Sequence, residues 1–327
     1  MTELKNPIGS PMRFFRFAPI LILFFTKGVF AQTSIDTSMA VNIGGIKQWI
    51  NISTKNTSKP LLLFLNGGPG ESAMDNKDYF TKKLQEQFVV VIWDQRESGK
   101  TRRLNASPQP LTVDKYQQDT HELIIYLLHR FKRPKLYLVG FSWGTVLGIK
   151  MAQRYPSLLY AYISVSQLVH QAKSERMLLQ RLKELAATAK NQTALKELSL
   201  VKIPFENKNE LYYQRKWLFA FSNNLIPDSE LKKVFAELPN SLFRLNNEAG
   251  KIDFTKEIPA LQCPVYFFAG KNDYQTNHEL TYSYYQQLKA KNKHFYWFEK
   301  SAHIVPFTEP DLFQQTIIGK VFPETYK

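Results

Sequence analysis

The sequence predicts an α/β protein in which a mostly parallel sheet, flanked by helices, is interrupted by an inserted all-helical lid. Three observations carry this. Short apolar stretches rich in β-branched and aromatic residues alternate with helical stretches from residue 61 onward, the rhythm of strands joined by helical crossovers. Those stretches are apolar on consecutive positions, as strands buried on both faces should be. The alternation then stops between about 168 and 258, where every periodic segment has helical spacing.

Residues 12–31, MRFFRFAPILILFFTKGVFA, come first. Arg13 and Arg16 form a basic start, Phe17 to Phe25 an apolar run, and Val29 and Ala31 place small residues three and one before Gln32. This is the layout of a secretory signal, so residues 1–31 are expected to be removed and the protein exported to a periplasmic or extracellular space. The apolar run is too short for a spanning helix, which needs about 18 to 20 residues. AVNIGGIKQWINIST (40–54) then reads as a hairpin turning at Gly44-Gly45. Strands follow at 61–67, 88–94, 135–142, 159–166, 264–270 and 294–299, with helices at about 112–132, 143–154, 278–291 and 311–320. KSERMLLQRLKELAATAK, TALKELSLV and NELYYQRKWLFAF fill the 168–258 interval with helical periodicity. The expected organisation is therefore a core of 32–167 and 259–327, with the lid at 168–258 over the carboxyl edge of the sheet.

Composition narrows the class. The 327 residues are 44% hydrophobic and 22% charged, ordinary for a globular protein. One cysteine, Cys263, excludes a disulfide scaffold and a multi-cysteine zinc site. It heads the apolar run CPVYFFAG, so a buried structural thiol is expected. The net charge of +15 falls to about +12 without the signal. Its lysines and arginines are scattered, with no block of five, so no nucleic-acid partner is expected. Neither a metal cluster nor a phosphate loop is visible, and no cofactor is expected; DQRESGKT lacks the spacing of a P-loop.

Gly140-Phe141-Ser142-Trp143-Gly144 sits between an expected strand and an expected helix. In that context G-x-S-x-G is a nucleophile elbow, a sharp turn that lifts the serine hydroxyl beyond the sheet. A serine needs a base, and the base an orienting acid, in the chain order Ser, Asp or Glu, His. Downstream, Asp228 and Asp253 fall in the helical insertion and Asp311 begins the last helix. Asp273, just past a buried strand, remains. Among the histidines, His278 opens a helix and His294 starts a strand at its far end, whereas His303 lies in the loop after the last strand. Ser142, Asp273 and His303 are thus the expected catalytic set. An oxyanion hole is expected from the N–H of Trp143 and from the loop Asn66-Gly67-Gly68-Pro69-Gly70, with Gly67 and Gly68 as candidates.

These residues resemble the α/β-hydrolase superfamily, and within it the proline iminopeptidase (prolyl aminopeptidase) family of serine peptidases. NGGPG (66–70) is similar to that family's HGGPG, WDQRESGKT (93–101) to its DQRGxGxS loop, and GFSWG (140–144) to its GGSWG. GKNDYQTN and KSAHIVP occupy the acid and histidine positions. The resemblance runs through 60–165 and 260–310, and loosely through the insertion. Asn66 stands where the family has His, Glu97 where it has Gly, and Phe141 where it has Gly or His. The family's lid Trp-Glu motif, which binds the free α-amino group of the substrate, has no clear counterpart: Trp217 is followed by Leu218. Glu206, Glu210 and Glu248, with Trp217, are the lid residues nominated as replacements.

The resemblance implies an exported serine hydrolase that releases an N-terminal residue, preferably proline, from short peptides through an acyl-enzyme. The alternative in the same chemistry is an esterase or amidase acting on small neutral acyl substrates. A non-catalytic binder of anionic envelope polymers would explain the charge but leaves the elbow and its partners without a use.

Overall fold

The computed structural model describes residues 1–2, 33–105, 111–222 and 226–326. The expected signal at 1–31 lies almost entirely outside them. From residue 33 the chain forms β1 (Ile35–Ile43), β2 (Ile46–Thr54), β3 (Leu61–Leu65), α1 (Lys77–Thr81), β4 (Val89–Asp94), α2 (Gly99–Leu104), α3 (Val113–Phe131), β5 (Leu136–Phe141), α4 (Trp143–Arg154) and β6 (Leu159–Val165). A helical interval follows: α5 (Gln171–Thr188), α6 (Gln192–Ser199), α7 (Lys208–Phe221), α8 (Asp228–Glu237), α9 (Asn240–Ala249) and α10 (Phe254–Glu257). The chain then returns through β7 (Ala260–Leu261), β8 (Val265–Gly270), α11 (His278–Gln287), β9 (Lys289–Ala290) and β10 (Lys293–Phe298). It ends in α12 (Val305–Thr308), α13 (Pro310–Thr316) and α14 (Phe322–Thr325).

Eight strands form one sheet in the order β1-β2-β4-β3-β5-β6-β8-β10. Only the β1–β2 and β2–β4 pairs are antiparallel; the rest run parallel. The hairpin turns at Gly44 and Gly45, with φ of 58° and 80°. Two successive positive φ values make the tight turn that matches strand twist, and glycine takes them without strain.

Strand alternation builds two cores from one sheet. In β3, Leu61, Leu63 and Leu65 join the core on one face, and Leu62 and Phe64 the core on the other. β4 divides in the same way, Val89, Val91 and Trp93 against Val90 and Ile92. All five side chains of β3 and all six of β4 are buried. At about 1.5–3 kcal/mol for each large apolar side chain, these central strands are the main source of stability. The insertion has small cores of its own, among them Leu178, Leu182, Ala194, Leu198 and Trp217.

Two boundaries differ from expectation. The helix expected to reach 291 stops at Gln287, because Leu288 is extended (ψ 126°) and Lys289 N–H donates to Pro259 O at 2.9 Å to begin a short ladder with β7. The last helix passes through a π-type turn at Ile317–Val321 before α14. Cys263 is buried, which pushes its thiol up to about 12 and leaves it un-ionised.

Candidate active site

Parallel strands end at a common edge, and loops from four of them meet there. β3 delivers Asn66 to Glu71, β5 delivers Ser142, β8 delivers Asp273, and β10 delivers His303.

Ser142 sits between β5 and α4 with φ 51° and ψ −119°. A left-handed φ costs a non-glycine residue about 1–2 kcal/mol, so the turn is held by its surroundings. Ser142 N–H donates to Val165 O at 3.0 Å, and Thr145 binds Ser142 O through both N–H (2.8 Å) and Oγ1 (2.6 Å). The flanking glycine is obligatory for a measurable reason. A Cβ on Gly144 would lie 2.1 Å from Leu65 O of β3, so any side chain there would force α4 off the sheet.

His303 bridges Ser142 and Asp273. Its Nε2 lies 2.8 Å from Ser142 Oγ and its Nδ1 3.0 Å from Asp273 Oδ2. With Nδ1 protonated toward the carboxylate, Nε2 is free to accept the serine proton. The ring is only 15% exposed, and its backbone carbonyl accepts from Ser166 Oγ at 2.7 Å. Asp273 is buried and fully partnered: Gln275 N–H and Thr276 N–H donate to Oδ1 at 2.9 and 3.0 Å, and Thr276 Oγ1 to Oδ2 at 2.7 Å. Burial opposes its charge, but the His303 ring and the Thr276 hydrogen bonds outweigh that, holding the carboxyl at about 2.

Trp143 begins α4, and the first N–H groups of a helix have no intrahelical acceptor. Gly68 faces the same cavity as Trp143 and Ser142, whereas Gly67 is buried behind it. The loop carrying both glycines is braced from β4. Trp143 Nε1 donates to Gln95 Oε1 (3.0 Å), Gln95 Nε2 to Asn66 O (3.3 Å), and Asn66 Nδ2 to Trp93 O (3.0 Å). Ser98 Oγ donates to Glu71 O, and Ser72 Oγ to Asp94 Oδ1. Arg96, also from this segment, forms a fully buried ion pair with Asp119 of α3 and donates to Gly44 O. Glu97 takes φ 58° and pairs with Arg102 at 3.7 Å. Phe141 packs its ring 5.6 Å from that of His303.

A cavity of about 460 Å³ opens over Ser142. The core side contributes Gly68, Glu71, Ser142 and Trp143; the helical interval contributes an apolar wall that includes Leu211, Phe219, Phe235, Leu238 and Leu242. The nominated lid residues are absent from that lining, and each is engaged elsewhere. Glu206 is exposed and pairs with Lys202 at 3.0 Å. Glu210 closes the start of α7, accepting from Glu206 N–H and Asn207 Nδ2 at 2.9 Å each. Glu248 accepts from Val113 N–H at 3.1 Å, and Trp217 donates to Glu197 inside the insertion's own core. Helix caps and i,i+4 pairs consume these carboxylates, which spacing along the chain did not reveal. The cavity carboxylates are instead Glu71 and Glu237. The sequence signal for Glu71 was its place directly after GGPG; Glu237 offered none. Among the described residues, no group of three side chains is placed to hold a metal ion, and no helix is long and apolar enough to cross a membrane.

An alternating parallel sheet with an elbow serine at its carboxyl edge defines the class, and comparison with known proteins gives the family. Residues 60–310 match the family described as alpha/beta hydrolase fold, and the chain belongs to it. A Bacillus subtilis (strain 168) protein named "Probable aminopeptidase YbaC" is 29% identical over 306 residues, spanning 88% of this chain and 96% of its own. The proline iminopeptidase-related protein of Thermus thermophilus superposes with a TM-score of 0.64 at 19% identity, over 89% of this chain and 98% of its own. The proline iminopeptidase of Mycobacterium smegmatis does so with a TM-score of 0.60 at 17% identity, over 88% and 99%. At these identities the two structures establish the shared fold.

Proposed function

We propose that this hydrolase is an exported serine aminopeptidase that removes a single N-terminal residue, preferably proline, from short peptides. The observation that carries the reading is His303, held between Ser142 Oγ at 2.8 Å and Asp273 at 3.0 Å in the strand-end position the elbow requires. In the proposed reaction Ser142 Oγ attacks the carbonyl carbon of the first residue and its proton passes to His303 Nε2. The oxyanion is met by the N–H groups of Trp143 and Gly68. His303, now charged and stabilised by Asp273, returns the proton to the departing amine. Water then attacks the acyl-enzyme with His303 again as base. The helical interval acts as the lid, and its apolar wall suits a pyrrolidine ring. The name of the Bacillus relative and those of the two iminopeptidase structures agree with this substrate class.

Hydrolysis of a panel of free and N-acetylated aminoacyl arylamides, alongside simple esters, tests the reading. Free prolyl arylamide is the expected best substrate. Preference for acetylated or ester substrates replaces it with the esterase or amidase alternative, which the absence of Glu206, Glu210 and Glu248 from the cavity favours. Export is tested separately by mass spectrometry: the mature protein should begin at Gln32, and an intact N-terminus found only in the cytosol refutes it.

A further inference from the structure

We propose that Glu71, on the core loop beside the nucleophile, is the group that receives the cationic amino end of the substrate. This rests on the aminopeptidase reading of the same cavity.

The argument is one of unmatched partners. Four charged side chains line the cavity: Glu71, Arg102, Arg215 and Glu237. Arg215 is occupied by Glu175, with Nη1 2.9 Å from Oε2 and Nη2 on Oε1. Arg102 sits 3.7 Å from Glu97, and Glu237 faces Lys233 at 4.0 Å on the exposed side of α8. Glu71 has neither a cation nor a side-chain hydrogen bond among the described residues, although its backbone is clamped by Ser98. Its Oε2 lies 3.3 Å from where a Cβ on Gly67 would be, so the carboxylate is folded back against the glycine loop next to Ser142.

The Glu71 side chain is exposed toward the cavity, where a ligand can reach it. Glu71 opens onto the cavity yet has protein packed around it, and this desolvation pushes its carboxyl up, with His303 the opposing influence. A cation entering the cavity can pair with this carboxylate without displacing a partner from the described residues. The cavity therefore offers an unmatched carboxylate, while both of its arginines are already paired. A primary or secondary ammonium supplies the missing donors; an acylated nitrogen carries no charge to meet Glu71.

The test measures selectivity as a ratio, so that changes in catalytic rate cancel. Calorimetric affinities for prolinamide and N-acetylprolinamide are compared on the full chain carrying Ser142→Ala, which prevents turnover. The free amine should bind at least about tenfold more tightly, and adding Glu71→Gln should erase that preference. Glu71→Asp, which keeps the charge, should retain part of it. An unchanged ratio in folded Glu71→Gln overturns the proposal, as does equal loss for both ligands, which marks a structural role, or no preference in the parent. Turnover of prolyl arylamide, measured in protein with Ser142 intact, separates the two readings. No turnover with a Glu71-dependent binding preference defeats the aminopeptidase reading alone. Turnover with a preference indifferent to Glu71→Gln defeats the Glu71 assignment alone.

Discussion

The carboxyl edge of the sheet and the helical interval above it use the same residue types in opposite ways. At the sheet edge Asp273 accepts three hydrogen bonds and still presents Oδ2 to His303. In the interval, Glu210 accepts one hydrogen bond on each oxygen to close the start of α7 and does not line the cavity. The difference lies in what the neighbouring backbone needs. In the strand-end loop one oxygen, Asp273 Oδ1, meets both backbone N–H groups, which leaves Oδ2 for His303. Short helices on a surface leave terminal N–H groups unpaired, and nearby carboxylates are drawn to them. A carboxylate in the insertion is therefore weaker evidence of a binding site than one in a strand-end loop.

Experiments can break this contrast, from the largest effect downward. Ser142→Ala should lower kcat/KM by about four orders of magnitude or more with the melting transition preserved. A folded variant with near-normal turnover would remove the nucleophile from the sheet edge. Gly144→Ala tests the edge as packing: with a Cβ 2.1 Å from Leu65 O, it should destabilise the fold by about 3 kcal/mol or more in denaturant titration. A loss below about 1 kcal/mol would mean that α4 shifts easily.

Asp273 links stability to pH. Its folded carboxyl, held at about 2, is depressed from the ordinary 3.8, so its contribution is present above about pH 4 and disappears as pH falls toward 2. The contribution is about 2 kcal/mol at most. Asp273→Asn should flatten that part of the acid-unfolding curve, and an unaltered slope between pH 4 and 2 would contradict the assigned environment. The smallest effect belongs to the insertion. Glu210→Ala should cost about 1 kcal/mol of stability through the lost cap and move the free-amine to N-acetyl selectivity by less than about threefold. A tenfold fall in selectivity would return the amine-binding role to the insertion.

Much of the fold was legible in order along the chain. The apolar runs at 61–67, 88–94 and 135–142 contain β3, β4 and β5 because burial on both faces leaves no polar position to disguise them. Gly44-Gly45 and the elbow glycines marked turns through a steric demand that acts locally. Ser142, Asp273 and His303 could be nominated because each stands just beyond a recognisable strand, and the structure brings them within hydrogen-bonding reach. The cavity was not legible. Whether Glu206, Glu210, Glu237 or Glu248 faces Ser142 depends on how helices of the insertion pack and which backbone donors they leave unpaired. Helical periodicity assigns a residue to a face, but does not say what that face will meet. Sequence alone determined the elements and nominated the candidate reacting groups, which depend on near neighbours and chain order; tertiary packing decided which charges remain unpartnered, because pairing is settled by residues far apart in the chain.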